Sequence, residues 1–141
     1  MTTVVCDSPK SAIEKAFAYH RAGDLKTAES VYDQILGQIT QPDANIYFGY
    51  GTLLISQERY GLGIAMLQAA AQMAPDSAGI WANLGCAYKH LGRDEQSLNC
   101  YHKAWALEPQ QPDILAGLAG YWVNKVDPHK VIEYASRALE I

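Results

Sequence analysis

Apolar positions between Trp81 and Pro109 recur three and four residues apart, which is the spacing of one face of an α-helix. Leu84 and Tyr88 follow Trp81 on that face, and Gly85 stands beside them without a side chain. A second stripe with the same spacing comprises Ser97, Tyr101 and Ala104. The pattern predicts two helices packed as an antiparallel hairpin, because the gap at Gly85 lets the second helix approach and Pro109 stops it.

The hairpin pattern recurs along the chain at a nearly constant period. Tyr47 and Leu115 each stand 34 residues from Trp81 and begin similar copies. A weaker first copy, with Ala12 and Tyr19 in its first helix, needs one more residue. This arrangement resembles the tetratricopeptide repeat, and the resemblance covers about residues 9–141. It implies an all-α fold, a right-handed α-solenoid of antiparallel helix pairs.

The resemblance also implies an organisation into four repeats. We predict a frayed tail at residues 1–8 and a single domain over residues 9–141. The predicted repeats span about 9–43, 44–77, 78–111 and 112–141. Local signals support these boundaries: Gly23 and Gly92 suit turns, and Asp43 and Asp127 suit helix caps. The last helix shows no polar end, which favours a chain that is the front part of a longer protein.

Composition narrows the class of protein. With 49% apolar and 18% charged residues, the chain is expected to fold. Its net charge of -4 argues against nucleic-acid binding, and no apolar run is long enough to span a bilayer. Three cysteines without close pairs, and no secretion signal at the start, favour a reducing compartment. We therefore predict a cytoplasmic protein without nucleic-acid or membrane partners.

No catalytic motif, cofactor motif or metal-ligand set emerges from the sequence, so we predict a non-enzymatic protein. Cys86 and His90 lie four residues apart on one predicted helix, a spacing that suits a two-ligand metal site or an activated thiol. Two ligands are too few for a metal site, and a free cysteine packs as a small apolar residue. The structural interpretation is therefore favoured.

In the family that this chain resembles, the first helix of each pair lines a concave groove that holds a segment of a partner protein. Matching this sequence to the repeat positions gives the predicted partner-binding residues: Ile13, Phe17, Phe48, Thr52, Ile55, Asn83, Cys86, Lys89, Val123 and Asn124. The groove is predicted to be largely apolar, with large side chains at one end and small ones at the other.

Two binding devices of the resembling family are incomplete here. Members that clamp a terminal carboxylate use lysine, asparagine and arginine in the groove. This chain has Ile13, Phe17, Gly49 and Gly79 at those places. Glycosyltransferase members carry asparagine at the sixth position of each repeat. Here those positions hold Glu14, Gly49, Asn83 and Gly117, so only Asn83 matches.

The outer positions of the second helices are polar in three copies and uncharged in one. From Gly61 to Ala74 the chain carries no charge. A helix of this kind is usually covered on most sides, which predicts a docking patch and a weak homodimer. The alternative is that small alanines simply tolerate exposure. The predicted patch comprises Leu62, Ala65, Ala69 and Met73.

The sequence thus predicts a protein–protein interaction scaffold that binds a peptide or helix segment. Two alternatives stay open: the repeats belong to a larger enzyme such as a glycosyltransferase, or they form a chaperone-like subunit for a secretion or assembly partner. A C-terminal extension in the parent gene would favour the first, and co-purification of one unstable partner would favour the second.

Overall fold

A computed structural model describes residues 9–125 and 127–140 of the chain, so the predicted tail at residues 1–8 lies outside the described part. That part contains eight helices and no strand, as predicted. In chain order the helices are α1 (Pro9–Arg21), α2 (Leu25–Gln38), α3 (Ala44–Ser56), α4 (Tyr60–Met73), α5 (Ala78–His90), α6 (Asp94–Leu107), α7 (Pro112–Asn124) and α8 (Pro128–Leu139).

The chain divides into two compact units, of which the first ends at Ala70 and the second begins at Ala71. The core of the first unit contains Ala16, Ala28, Tyr32, Ile35, Ile46, Tyr50, Leu53 and Leu54. The core of the second contains Ala78, Tyr101, Ala104, Ile114, Leu115, Leu118 and Tyr134. Most of these residues stand at the predicted apolar repeat positions, so periodicity alone places them inside. The single domain predicted for residues 9–141 stays a prediction.

Helices pack in consecutive pairs, and small residues set how closely they approach. In the α5–α6 pair, the Ser97 hydroxyl donates to the Gly85 carbonyl at 2.7 Å. A Cβ atom on Gly85 would stand 2.9 Å from the Tyr101 ring. In the α3–α4 pair, a Cβ atom on Gly51 would lie 3.2 Å from the Gly63 carbonyl oxygen. The close approach predicted at Gly85 is therefore confirmed, and α3 and α4 repeat it.

The turns between paired helices share one backbone arrangement. Gly23, Glu58 and Gly92 take left-handed φ values of 82°, 61° and 72°. The residue after each of them donates its N–H to a carbonyl five residues earlier, which is the Schellman arrangement that closes a helix end. The turns predicted at Gly23 and Gly92 are confirmed. At Glu58 the same conformation is held by a residue with a Cβ atom, which costs conformational energy.

Aspartates cap three of the helices. The carboxylate of Asp24 accepts the Thr27 N–H at 3.2 Å, and that of Asp43 accepts the Asn45 N–H at 2.8 Å. Asp127 plays the same part for α8, ahead of Pro128 in its first turn. Of these caps, only that of Asp43 begins a first helix, α3, which carries predicted groove residues, whereas Asp24 and Asp127 begin second helices.

Aromatic side chains stand at several of the repeat positions, where the apolar pattern predicts that they belong to the core. Tyr32, Tyr50, Tyr88 and Tyr101 are buried. Tyr19 is 40% exposed, so that expectation is wrong for this residue. It lies in the last turn of α1, beside the chain reversal at Gly23, where neighbouring helices cover less of the surface.

Candidate partner-binding surfaces

In the first unit α1 and α3 lie side by side, and the face on which their predicted groove residues stand is here called the inner face. Five predicted groove residues fall on these helices, and all five are half-buried: Ile13, Phe17, Phe48, Thr52 and Ile55. Ile13 also packs against the core of the unit. Ile55 lies against α4, since its Cγ1 is 2.8 Å from where a Cβ on Gly63 would stand. Phe17 and Phe48 thus offer the large apolar surface that remains available on this face.

A short hydrogen-bond chain joins α1 to α3 at one end of this face. The Ser56 hydroxyl donates its only hydrogen to the Thr52 carbonyl at 3.0 Å. Ser56 must therefore accept the hydrogen bond from His20 Nε2, 2.9 Å away, which assigns the Nε2–H tautomer to His20. Burial lowers the pKa of His20 below its usual value of 6.5. This end of the face is consequently uncharged at neutral pH where His20 meets Ser56.

At the middle of the face, Gly49 has no side chain because another residue already fills that space. A Cβ atom on Gly49 would overlap the hydroxyl of Tyr32, which reaches up from α2. The same point lies 3.1 Å from Cζ of Phe17. The missing asparagine at this sixth repeat position is therefore explained by the size of Tyr32.

The second unit repeats this relationship at its own sixth position. A Cβ on Gly117 of α7 would overlap the ring of Tyr101 from α6. Tyr32 and Tyr101 occupy the same position in the second helices of the first and third repeats. Both glycines thus accommodate a buried tyrosine of the preceding repeat.

The inner face of the second unit is formed by α5 and α7, and it is lined with small and polar residues. Asn83 and Cys86 are half-buried, whereas Lys89 is exposed and Val123 is 58% exposed. The ammonium group of Lys89 lies over Gly120, 2.7 Å from where a Cβ would stand. On this face the positive charge of Lys89 therefore lies directly above the backbone of Gly120, where no side chain stands. The side chain of Asn124 lies outside the described part of the structure.

Cys86 and His90 do lie close together, but not as an activated pair. Cys86 Sγ is 3.7 Å from His90 Nδ1, which is also 2.8 Å from the Cys86 carbonyl oxygen. Burial raises the pKa of the Cys86 thiol, and the charge of Lys89 only partly opposes this. The group is therefore a neutral thiol at physiological pH. Within residues 9–125 and 127–140, no cluster of three or more histidine, cysteine or carboxylate groups could hold a metal ion.

The predicted docking patch on α4 is largely solvent-facing. Leu62 is 52% exposed, Ala65 is exposed and Ala69 is half-buried. Met73, which belongs to the second unit, is 38% exposed. The exposure predicted for Leu62 and Ala65 is present.

Sequence reasoning missed one further concave surface, in the second unit. A cavity of about 340 Å³ is lined by Trp105, Pro109, Gln110, Leu115, Arg137 and Glu140. The Arg137 guanidinium lies 5.4 Å from the centre of the Trp105 ring. These residues come from α6, α7, α8, the loop between α6 and α7, and the cap residue directly after α8, and no local spacing links them. Repeat periodicity therefore had no means of indicating this site.

None of the helices in the described part of the chain is long and apolar enough to cross a membrane.

Comparisons with known proteins agree with the repeat pattern. A family model described as Tetratricopeptide repeat matches residues 54–121. A peroxisomal targeting signal receptor of Kluyveromyces lactis is 32% identical over 78 residues, which are 55% of this chain and 14% of that protein. The corresponding receptor of Candida albicans is 33% identical over 67 residues, covering 48% of this chain and 11% of that protein. The matched part therefore spans only a small share of these relatives.

Solved structures of similar fold match a larger share of the chain than these relatives do. MamA 41-end from Desulfovibrio magneticus RS-1 has a TM-score of 0.85 at 24% identity, covering 94% of this chain and 75% of that one. A MamA MSR-1 structure has a TM-score of 0.80 at 16% identity, covering 99% and 79%. At such identities the likeness shows the fold alone. The predicted class, an all-α array of helix pairs, is confirmed.

Proposed function

The chain carries tetratricopeptide repeats, and from this premise we propose that it is a non-enzymatic scaffold that binds an extended or helical segment of a partner protein. Tetratricopeptide repeats serve protein–protein interaction. The finer proposal concerns where the segment binds. It lies along the inner face of α1 and α3, over Phe17 and Phe48.

One observation carries this proposal: the inner face of the first unit keeps two phenylalanines half-buried. Phe17 and Phe48 are the only phenylalanines of the chain, and both fall on this face. When a partner covers the exposed part of such an aromatic surface, the burial is favourable and contributes to the free energy of binding. The hydroxyl of Thr52 donates to the Phe48 carbonyl one turn earlier, and that of Ser56 donates to the Thr52 carbonyl, so polar atoms follow Phe48 along α3. Apolar anchors beside a few polar groups are typical of a peptide site.

The names of the relatives support recognition of a segment, since both are receptors for a targeting signal. The residues that clamp a terminal carboxylate elsewhere in the family are replaced here by Ile13, Phe17, Gly49 and Gly79. We therefore propose that this chain binds an internal stretch of its partner. The free carboxylate of the partner makes no large contribution.

The test starts from random peptides displayed on phage and selected on the full chain. Selected peptides are then synthesised with free and with amidated C termini, and their affinities are measured by calorimetry. Amidation should leave the affinity unchanged. Phe48→Ala should weaken binding by about 1 to 3 kcal/mol with little loss of stability. Leu107→Ala, which truncates an exposed leucine at the end of α6, is the matched control and should bind normally.

Two results would contradict the proposal. If selection yields no peptide that binds the full chain, the segment-binding function is wrong. If Phe48→Ala unfolds the protein instead of weakening binding, Phe48 is a core residue and the inner face is misplaced. The cytoplasmic location and the absence of nucleic-acid partners stay predictions.

A further inference from the structure

The hydroxyl of Tyr32 is buried without a hydrogen-bond partner among the described residues. Tyr32 itself is 0% exposed, and its ring stacks on Tyr50 at a centroid distance of 5.3 Å. The hydroxyl of Tyr50, in the same stack, donates to Asp33 at 2.7 Å. Buried polar groups are nearly always paired, so an unpaired one requires an explanation.

The neighbours of this hydroxyl supply that explanation, because it lies against Gly49 and Phe17, which the repeat pattern assigns to the inner face. It fills the space above Gly49 where a side chain of α3 would stand. On the other side it is bordered by Phe17, whose ring meets that of Tyr32 edge-on at 6.4 Å. Phe17 is half-buried, so its ring meets Tyr32 on one side and solvent on the other.

We propose that the Tyr32 hydroxyl is a hydrogen-bond donor for a backbone carbonyl of the bound segment, and that Phe17 is a cover which the segment displaces. The inference rests on the proposed function and adds to it a specific anchoring atom. Burial raises the pKa of Tyr32 to about 12, so the hydroxyl keeps its hydrogen at physiological pH and remains a donor. A backbone carbonyl is the fitting acceptor because it is neutral and is present in every peptide. The site thus fixes the position of the segment without reading its sequence.

Removing this hydroxyl should separate binding from stability. Tyr32→Phe deletes an unpaired buried group, so the unfolding free energy should not fall. Affinity for a peptide selected by phage display should fall about tenfold, the effect of one neutral hydrogen bond. Tyr50→Phe is the matched control. It deletes the paired hydroxyl of the same stack, so it should lower stability and leave affinity unchanged.

The carbonyl itself can be located by an ester scan of the selected peptide. Each backbone amide is replaced in turn by an ester, whose carbonyl is a weaker acceptor. At one position the ester should weaken binding to the unmodified chain but not to Tyr32→Phe, because both changes remove the same bond.

The outcomes distinguish the inference from the function on which it rests. Failure to select any peptide would overturn both. Peptides that bind Tyr32→Phe as well as the unmodified chain would overturn the inference alone. A fall in stability together with affinity in Tyr32→Phe would show a structural role, and would also overturn it.

Discussion

The ring of Tyr101 occupies the space that a side chain at Gly117 would need. The two residues lie on neighbouring helices, α6 and α7, in consecutive repeats. Tyr32 and Gly49 stand in the same relationship in the first unit. A large ring in one repeat therefore requires glycine in the next, and this coupling decides which residues the inner face can carry.

Gly117→Ala should consequently destabilise the protein. The added methyl group would meet the Tyr101 ring, and overpacking of this kind costs about 1 to 3 kcal/mol. Chemical denaturation followed by circular dichroism measures the loss. Gly37→Ala is the control, because nothing lies within 4 Å of the methyl group it adds.

A double variant tests whether the ring is the cause. In a Tyr101→Leu background, Gly117→Ala should lower the free energy of unfolding by less than it does in the unmodified chain, because leucine is smaller than tyrosine. Equal costs in both backgrounds would show that the helices, and not the ring, resist the methyl group.

The turn at Glu58 offers a second prediction. Glu58 has φ 61° and Gly92 has φ 72°, so both hold the left-handed conformation in equivalent turns. Gly92→Ala should lower the unfolding free energy by about 1 kcal/mol, because a Cβ atom is strained there. Glu58→Gly should cause no loss, since relief of strain offsets the freedom that glycine adds to the unfolded chain. A clear loss in Glu58→Gly would mean that the Glu58 side chain itself stabilises the turn.

Stability should also depend on pH, in a range set by two histidines. Burial lowers the pKa of His20 and of His102 below 6.5. The unfolded chain therefore takes up protons before the folded chain does, and stability falls as the pH drops below 6.5. The lowered pKa values of Asp24 and Glu29, caused chiefly by hydrogen bonds from Thr27 and Arg59, act only at more acidic pH.

Urea unfolding midpoints at about pH 7.5 and about pH 5.5 would measure this effect. The midpoint should be lower at the more acidic value, and a variant with both His20→Gln and His102→Gln should show a smaller difference. An unchanged difference in that variant would assign the pH dependence to other groups.

The sequence predicted the helices well because their signals are local. Asp43 and Asp127 are N-caps that mark the starts of helices, and Gly23 and Gly92 mark turns. Each of these signals lies within a few residues of the boundary that it predicts. The turn at Glu58 lacks a glycine, although its backbone takes the same left-handed conformation and the same closing hydrogen bond as the turns at Gly23 and Gly92. Local propensity could not reveal that conformation.

The candidate site was predictable only in part. Repeat register placed Phe17 and Gly49 on the inner face, but the reason for the glycine lies in Tyr32, on a different helix. Contacts of this kind depend on size and distance in three dimensions and leave no periodic signal. For the same reason the sequence could not predict that the hydroxyl of Tyr32 lacks a partner among the described residues. In the sequence, Tyr32 simply stands at one of the apolar repeat positions.

The last prediction concerns the uncharged outer face of α4, which we propose forms a weak contact between two copies of the chain. Leu62 is 52% exposed there, and exposed Ala65 would let a second helix approach closely. A twofold axis would place each patch opposite its own copy. Full burial of a leucine contributes about 1.5 to 3 kcal/mol, so covering the exposed half of Leu62 contributes about 1 kcal/mol per copy. The entropy of association largely offsets this gain, so the dimer should be weak.

Light scattering over a range of protein concentrations tests the contact. The unmodified chain should gain mass as concentration rises, and Ala65→Glu should remain a monomer because it places a charge opposite its own copy. Gln96→Glu introduces the same charge on the exposed surface of α6, so this control should associate like the unmodified chain. A monomer at every concentration would refute self-association. Equal association of the unmodified chain and Ala65→Glu would place the contact elsewhere, with the exposed apolar side chains of α8, Ile132 at 63% and Leu139 at 88%, as the next surface to alter.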